Sequence, residues 1–164
     1  MKHGSGSGNL ESERKWTGWT AVALALVWTG VARGADDRDE LLRQVEARAG
    51  RFGEVSRLIW EYAEVGYQEV KSAELLKAEL RAAGFEIRDN IGGMPTAFTA
   101  TWGQGKPVVA ILGEYDALPG LSQEAAPERK PRVAGGAGHG CGHNLLGSAA
   151  ALAAVVVKEH LAAR

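Results

Sequence analysis

The chain has 164 residues, of which 45% are hydrophobic and 24% charged, and these values are typical of a globular protein with one core. The formal net charge of -1 argues against a nucleic-acid-binding protein, because such proteins usually carry a clear excess of basic residues. The only cysteine is Cys141, which excludes an internal disulfide framework.

Residues 1–34 predict a leader with a signal peptide, and residues 35–164 predict one domain. The stretch Gly4–Gly8 alternates glycine and serine, as flexible linkers do. Arg14 and Lys15 then precede an apolar run, Thr20–Ala32, which ends in small residues up to Gly34. This order is typical of a secretory signal peptide, and we expect an exported, periplasmic or secreted protein. A membrane anchor and a soluble helix are the alternatives.

Two helices are predicted next. Apolar residues recur at helical spacing from Asp37 to Tyr62, and Gly66 offers a C-terminal stop. A second helix is predicted over Glu69–Ala83, ending at Gly84, with a buried face formed by Ala73, Leu76 and Leu80.

Three strands and a last helix complete the predicted domain. Residues 85–88 and 96–102 have strand composition, and residues 108–113 are apolar throughout, as in a central strand covered on both faces. An alanine- and valine-rich run over residues 145–161 predicts a helix packed on the sheet. This element order predicts an α/β layer fold.

Two carboxylates follow the predicted central strand. Glu114 and Asp116 occupy alternating positions, so their side chains point to the same side. Sites in open α/β sheets lie beyond the carboxyl ends of strands, which makes both residues candidates for a site. A structural role in capping the next turn is the alternative.

The segment Gly138–Asn144 contains Cys141 and two of the four histidines, His139 and His143, interleaved with glycines. Thiolate and imidazole suit a transition metal such as zinc, and glycines let close-spaced ligands converge. A second hypothesis is a cysteine nucleophile with His139 or His143 as its base. A third is a buried cysteine in a glycine-rich turn. Spacing alone leaves all three open.

Four segments, taken in their order along the chain, narrow this choice. They are Tyr62–Glu69, Gly93–Phe98, Glu114–Gly120 and Gly138–Asn144. Together they resemble the metal-dependent amidohydrolase and metallopeptidase family of aminoacylases, hippurate hydrolase and indole-acetyl-amino-acid hydrolases, in particular its p-aminobenzoyl-glutamate branch. The resemblance extends from about Leu58 to the C-terminus.

The resemblance implies a three-layer αβα zinc-peptidase-like catalytic domain with two divalent metal ions, zinc or manganese. It implies that Cys141 and His143 are metal ligands and that Asp116 is the catalytic-site carboxylate that supports the metal. The implied substrate is a small N-acyl or aromatic-acyl amino acid, and the implied assembly is a homo-oligomer. Glu114 stands where relatives often have aspartate, and Asn144 where many have aspartate.

One feature of the family is missing from the sequence. The catalytic glutamate of relatives belongs to a Glu-Glu pair on the strand after the last helix predicted here, and no Glu-Glu pair occurs in the 164 residues. We therefore expect the chain to be the N-terminal part of a hydrolase and to be inactive alone. A truncated, non-catalytic binding or interaction module is the alternative.

Overall fold

The computed structural model describes the backbone of residues 17–164 and side chains from residue 37 onward. The leader Gly4–Gly8, Arg14 and Lys15 lie outside the described residues, as do the side chains of Thr20–Ala32, so the signal peptide stays a prediction. The chain divides into two compact units, Met1–Glu40 and Leu41–Arg164. Of the first unit, residues 17–40 are described, as helical backbone with side chains only from residue 37, and all packing below belongs to the second unit.

The described residues form three α-helices and one pair of strands. The helices are α1 (Thr17–Tyr62), α2 (Val70–Ala82) and α3 (His143–Ala162). The strands are β1 (Glu86–Asp89) and β2 (Phe98–Thr101), with a short 3-10 turn at Ile91–Gly93 between them. Mixed helix and strand content agrees with the predicted α/β class.

Helix α1 ends before the predicted stop at Gly66, and that prediction is wrong. Its last residue is Tyr62, and Ala63 follows in the left-handed region with φ 45°. The Ala63 amide still donates to the Ile59 carbonyl, at 3.1 Å. A left-handed residue reverses the chain after a helix, so the turn is made at Ala63 although glycine is the usual residue for it.

Helix α2 matches its prediction closely. Ala73, Leu76 and Leu80 are buried, as helical spacing indicated. Gly84 has φ 82° and donates to the Arg81 carbonyl at 2.9 Å, while Phe85 donates to the Leu80 carbonyl at 3.0 Å. These two bonds form a Schellman motif, which explains why the helix ends where the glycine stands.

Strands β1 and β2 pair antiparallel, with Glu86 opposite Thr101 and Asp89 opposite Phe98. Both lie within or beside their predicted ranges. Alternate side chains, including those of Ile87, Phe98 and Ala100, pack against the core. The two-residue periodicity of strands therefore identified both elements.

The predicted central strand at residues 108–113 is wrong. This segment has no regular secondary structure, and Val108, Val109 and Leu112 are 82%, 80% and 88% exposed. A strand needs a neighbour to satisfy its backbone hydrogen bonds, and the described residues place no strand beside this segment. Its apolar composition suits a strand in the middle of a sheet, but the described residues provide no strand to pair with it.

The core brings together all three helices. Phe52, Val55 and Ile59 of α1 are buried against Leu76 and Leu80 of α2 and against Ala151 and Val155 of α3. The last helix was predicted to pack on the sheet, but it packs mainly against the other helices, and β1 and β2 residues lie at the margin of the cluster.

Among the described residues, α3 is the one helix long and apolar enough to cross a membrane. This is weak evidence for a span, because the core helices of soluble proteins meet the same criteria. Ala151, Val155 and Val156 of α3 are indeed buried within the domain.

Candidate functional site

The segment Glu114–Gly120 is held between two of the other segments singled out in the sequence. On one side the Ala117 amide donates to the Glu64 carbonyl, at 2.7 Å. On the other side Leu118 and Gly138 exchange two backbone hydrogen bonds, of 2.9 and 3.0 Å. These backbone contacts bring the segment that carries Glu114 and Asp116 next to the segment Gly138–Asn144.

Glycine at position 147 allows α3 to approach this segment closely. A Cβ atom there would lie 2.8 Å from the Glu114 carbonyl oxygen and 3.1 Å from the Tyr115 Cβ. Gly113 is equally confined, because its Cβ would lie 2.9 Å from that of Ala150. The first turns of α3 and the backbone of the two carboxylates are therefore in direct contact.

His143 lies between the two carboxylates. It is the first residue of α3, after Gly142 in the left-handed region with φ 74°. Its Nδ1 contacts the Asp116 Oδ1 at 2.8 Å, and its Nε2 contacts the Glu114 Oε2 at 2.9 Å. The Nδ1 contact with Asp116 is a hydrogen bond, and the Nε2 contact brings Glu114 within ion-pair distance, so the two carboxylates orient the ring.

His139 is held differently. Its Nε2 lies 3.0 Å from the Ile59 carbonyl oxygen, which can only accept, so Nε2 carries the proton and Nδ1 keeps a lone pair. Nδ1 is buried and has no hydrogen-bond partner within the part of the chain that the structure describes. Burial lowers the pKa of His139, and the hydrogen bond to Ile59 only partly opposes this. Burial therefore favours the neutral form of the ring, in which the Nδ1 lone pair has no hydrogen-bond partner among the described residues.

Cys141 is a free, exposed thiol. Within the described residues, no hydrogen bond joins it to His139 or His143, whose polar contacts go to Ile59 and to the two carboxylates. The cysteine-nucleophile hypothesis therefore finds no adjacent base in this arrangement.

Asn144 has a structural role that its sequence position did not reveal. Its side chain is buried, and its amide nitrogen lies 3.0 Å from the Ser56 Oγ and 3.3 Å from the Ser56 carbonyl oxygen. An aspartate carboxylate could not donate to that carbonyl. The asparagine therefore ties the start of α3 to α1.

Comparison with known proteins shows what the chain is similar to. No family model matches it. It is 50% identical over 118 residues to a subunit of p-aminobenzoyl-glutamate hydrolase from Escherichia coli strain K12, covering 71% of this chain and 24% of the relative. It is 34% identical over 134 residues to mouse Xaa-Arg dipeptidase, covering 73% and 27%. It is 33% identical over 110 residues to the IAA-amino acid hydrolase ILR1-like 5 of Arabidopsis thaliana, covering 65% and 24%.

The chain is a homologue of amidohydrolases and dipeptidases. The resemblance found in its four segments is confirmed over about 70% of its length. The chain spans about a quarter of the length of the curated relatives it matches.

In this amidohydrolase homologue, a buried network that sequence reasoning missed supports the carboxylate segment. The Thr96 hydroxyl donates to the Glu69 carboxylate at 2.6 Å, and the Tyr115 hydroxyl donates to the Thr96 carbonyl at 2.5 Å. Burial, together with the charge of Glu69, raises the pKa of Tyr115 to about 12. Tyr115 stands between Glu114 and Asp116, so the network anchors the backbone that carries both. The only sequence signal was that its members fall in three of the four segments.

Glu64 is a second residue that sequence reasoning missed. Its carboxylate accepts the Lys71 amide at 3.0 Å, the Ser72 amide at 2.9 Å and the Ser72 hydroxyl at 2.8 Å. It thereby satisfies amides in the first turn of α2, which lack partners inside the helix. Because the Glu64 carbonyl also accepts from Ala117, one residue links α2 to the carboxylate segment.

The donor set suits a transition metal by its chemistry. Cys141 supplies a thiol, His143 an imidazole already oriented through Nδ1 by a carboxylate, and His139 a buried nitrogen with a free lone pair. Among the described residues, however, no three histidine, cysteine, aspartate or glutamate side chains form a group that could hold an ion. Cys141 and His143 are therefore candidate ligands by their chemistry, and the described residues around them do not complete a metal centre.

Proposed function

We propose that this chain is part of a metal-dependent amidohydrolase that cleaves the amide bond of N-acyl or aromatic-acyl amino acids resembling p-aminobenzoyl-glutamate. The observation that carries the proposal is the 50% identity to a relative named for that substrate. The contact of His143 with Asp116 at 2.8 Å supports it. A histidine that binds a metal through one ring nitrogen commonly donates a hydrogen bond from the other, often to a carboxylate.

We assign Cys141 and His143 as metal ligands, for two zinc or manganese ions in the complete enzyme. A divalent ion bound there supplies Lewis acidity that polarises an amide carbonyl. Asp116 orients His143 through Nδ1, and the exposed thiol of Cys141 is open to coordination. Glu114 contacts Nε2, the ring nitrogen that ligation would need, so ligation requires this carboxylate to release that nitrogen or to join it on the metal.

The proton-transfer base is assigned to a glutamate outside these 164 residues, since no Glu-Glu pair occurs in them. The proposal includes a three-layer αβα catalytic domain and a homo-oligomer in the complete enzyme. The Escherichia coli relative is named as one subunit of its hydrolase, which supports assembly with a further chain.

A second candidate function is that of a non-catalytic interaction module. The exposed apolar side chains of Val108, Val109 and Leu112 favour it, because an exposed apolar segment can bind another protein chain. Size-exclusion chromatography with light scattering tests this. A well-behaved monomer that does not bind zinc would favour the module, whereas aggregation would indicate an incomplete domain and high-affinity zinc binding would favour the metal site.

Metal binding tests the assignment of the ligands. Isothermal calorimetry with the metal-free chain should show saturable zinc or manganese binding. We expect Cys141→Ser and His143→Gln each to weaken it at least tenfold. Asp116→Asn should weaken it about 10–100-fold, because the ligand then loses its orienting carboxylate.

His160→Gln is the matched control, because His160 lies in the last turn of α3, far along the helix from His143. It should bind metal like the unchanged chain. Equal affinity for Cys141→Ser, His143→Gln and the control would contradict the assignment. Rapid metal-dependent release of glutamate from p-aminobenzoyl-glutamate by the 164-residue chain would refute the need for an outside base.

Export is proposed separately from catalysis. It rests on residues 14–34, in which two basic residues are followed by an apolar run and then by small residues. Expression with a tag at the C-terminus, followed by N-terminal sequencing of the exported protein, tests it. We expect a new N-terminus at Ala35. An unprocessed N-terminus in the cytosolic fraction would contradict the signal peptide.

A further inference from the structure

A cavity of about 340 Å³ lies between the end of α1 and the loop of residues 122–138. Its walls include Trp60 and Tyr62 from α1 and Ser122, Arg132 and Gly138 from the loop side. Small-ligand sites usually begin at about 300 Å³ and combine apolar walls with a few polar groups. The cavity is therefore large enough for a molecule of amino-acid to acyl-amino-acid size.

Arg132 is the cation of this cavity. Its guanidinium carbon lies 4.3 Å from the centre of the Trp60 ring, which holds the planar group against an aromatic surface. Within the described residues, no carboxylate pairs with Arg132. A guanidinium carries its donors in one plane, the arrangement that binds a carboxylate through two parallel hydrogen bonds.

The one acidic residue of the wall is already engaged. Glu61 pairs with Arg57, which also donates to Glu54 at 2.6 and 2.8 Å. The Glu61 carboxylate is thus compensated on the surface of α1. The charge of Arg132 remains available to a ligand.

The loop that carries Arg132 is organised by its own side chains. Gln123 donates to the Glu128 carbonyl at 2.7 Å and accepts from the Lys130 amide at 3.0 Å. The Ser122 hydroxyl accepts from the Val133 amide, also at 3.0 Å. The position next to Arg132 is therefore fixed before a ligand arrives, which lowers the entropy lost on binding.

The cavity is continuous in sequence with the candidate metal cluster. Gly138 lines it and precedes His139, while Trp60 follows Ile59, whose carbonyl accepts from the His139 ring at 3.0 Å. The two segments that bear His139 and its partner therefore also form cavity walls.

We propose that this cavity binds a small carboxylate-bearing ligand, with Arg132 holding the carboxylate and Trp60 positioning the Arg132 guanidinium. The choice of an N-acyl amino acid as the ligand rests on the proposed function. The requirement for a carboxylate rests on Arg132 and Trp60 alone.

The test compares N-benzoylglycine with its carboxamide, by isothermal calorimetry on the 164-residue chain in the presence of a chelator. The acid should bind saturably, and the amide should bind at least tenfold more weakly, because the charged pair is lost. Arg132→Gln should weaken binding of the acid to the same extent. Arg132→Lys should give an intermediate loss, since charge remains without the planar donors.

Arg129→Gln is the matched control, because it removes a cation from the same loop at a position outside the cavity wall. It should bind the acid like the unchanged chain, and circular dichroism should show that all variants fold alike. Equal affinity for acid and amide, no binding of the acid, or equal binding by Arg132→Gln and Arg129→Gln would each overturn the proposal.

A different measurement, zinc binding, tests the metal site of the proposed function. Zinc binding by the unchanged chain and by Cys141→Ser is measured without chelator, and Cys141→Ser should weaken it. Absence of zinc binding by the unchanged chain, with carboxylate binding intact, would refute only the metal site. Loss of carboxylate selectivity, with zinc binding intact, would refute only the cavity.

Discussion

Gly147 offers a sharp test of the packing that positions His143 against the two carboxylates. Replacement by alanine adds one methyl group inside α3. That carbon would lie 2.8 Å from the Glu114 carbonyl oxygen and 3.1 Å from the Tyr115 Cβ. Neither neighbour is the flexible end of a long side chain, so the backbone of the carboxylate segment or the axis of α3 has to shift.

Two opposing contributions decide the sign of the change in stability. Alanine in a helix interior is favoured over glycine by about 0.5–1 kcal/mol, because glycine loses more backbone freedom on folding. Overpacking of a close contact costs about 1–3 kcal/mol. We therefore expect Gly147→Ala to be between neutral and about 2.5 kcal/mol less stable than the unchanged chain.

Gly50→Ala is the matched control, because it makes the same substitution in α1 with no atom within 4 Å of the new Cβ. It should stabilise the chain by about 0.5–1 kcal/mol. Urea unfolding followed by circular dichroism at 222 nm measures both variants, and the difference between them isolates the contact. If Gly147→Ala stabilised the chain as much as Gly50→Ala, the close approach of α3 to Glu114 would be refuted.

Two further substitutions test the buried polar contacts. Asn144→Asp should destabilise the chain by about 1–3 kcal/mol, because a buried carboxylate replaces the amide that donates to Ser56. Urea unfolding measures this change, and unchanged stability would contradict the anchoring role of Asn144. Thr96→Val should cost about 1.5–3 kcal/mol, since the buried Glu69 carboxylate loses its hydroxyl donor, whereas Thr99→Val on the exposed side of β2 should cost little. Equal costs at Thr96 and Thr99 would show that the network contributes nothing.

Much of the local structure followed from the sequence, because local rules determine it. Apolar spacing placed α2 and its buried face, and Gly84 marked its end, since only a residue at ease with positive φ forms that motif. The two strands were found from composition and alternation. Cys141, His143 and Asp116 were singled out by residue type and spacing, and their roles in metal binding and catalysis remain proposals.

What the sequence could not provide depends on partners distant along the chain. Residues 108–113 have the composition of a central strand, but a strand exists only where another pairs with it, and here their side chains face solvent. His139 and Asn144 looked alike as polar residues of one cluster. Ile59 lies 80 positions before His139 and binds its ring, whereas Ser56 lies 88 positions before Asn144 and makes that residue an anchor for α3.

The sequence by itself thus determined α2, α3, the strand pair, the segments held in common with hydrolases and the residue types available for a metal. Tertiary structure alone decided that His143 lies between Glu114 and Asp116. It also decided that Tyr115 and Thr96 link this segment to Glu69 by hydrogen bonds. The same holds for the Arg132 guanidinium, which lies over the Trp60 ring. The physical reason is range: backbone preference and periodicity act over a few residues. Hydrogen bonds and packed contacts between distant segments form only when the whole core is assembled.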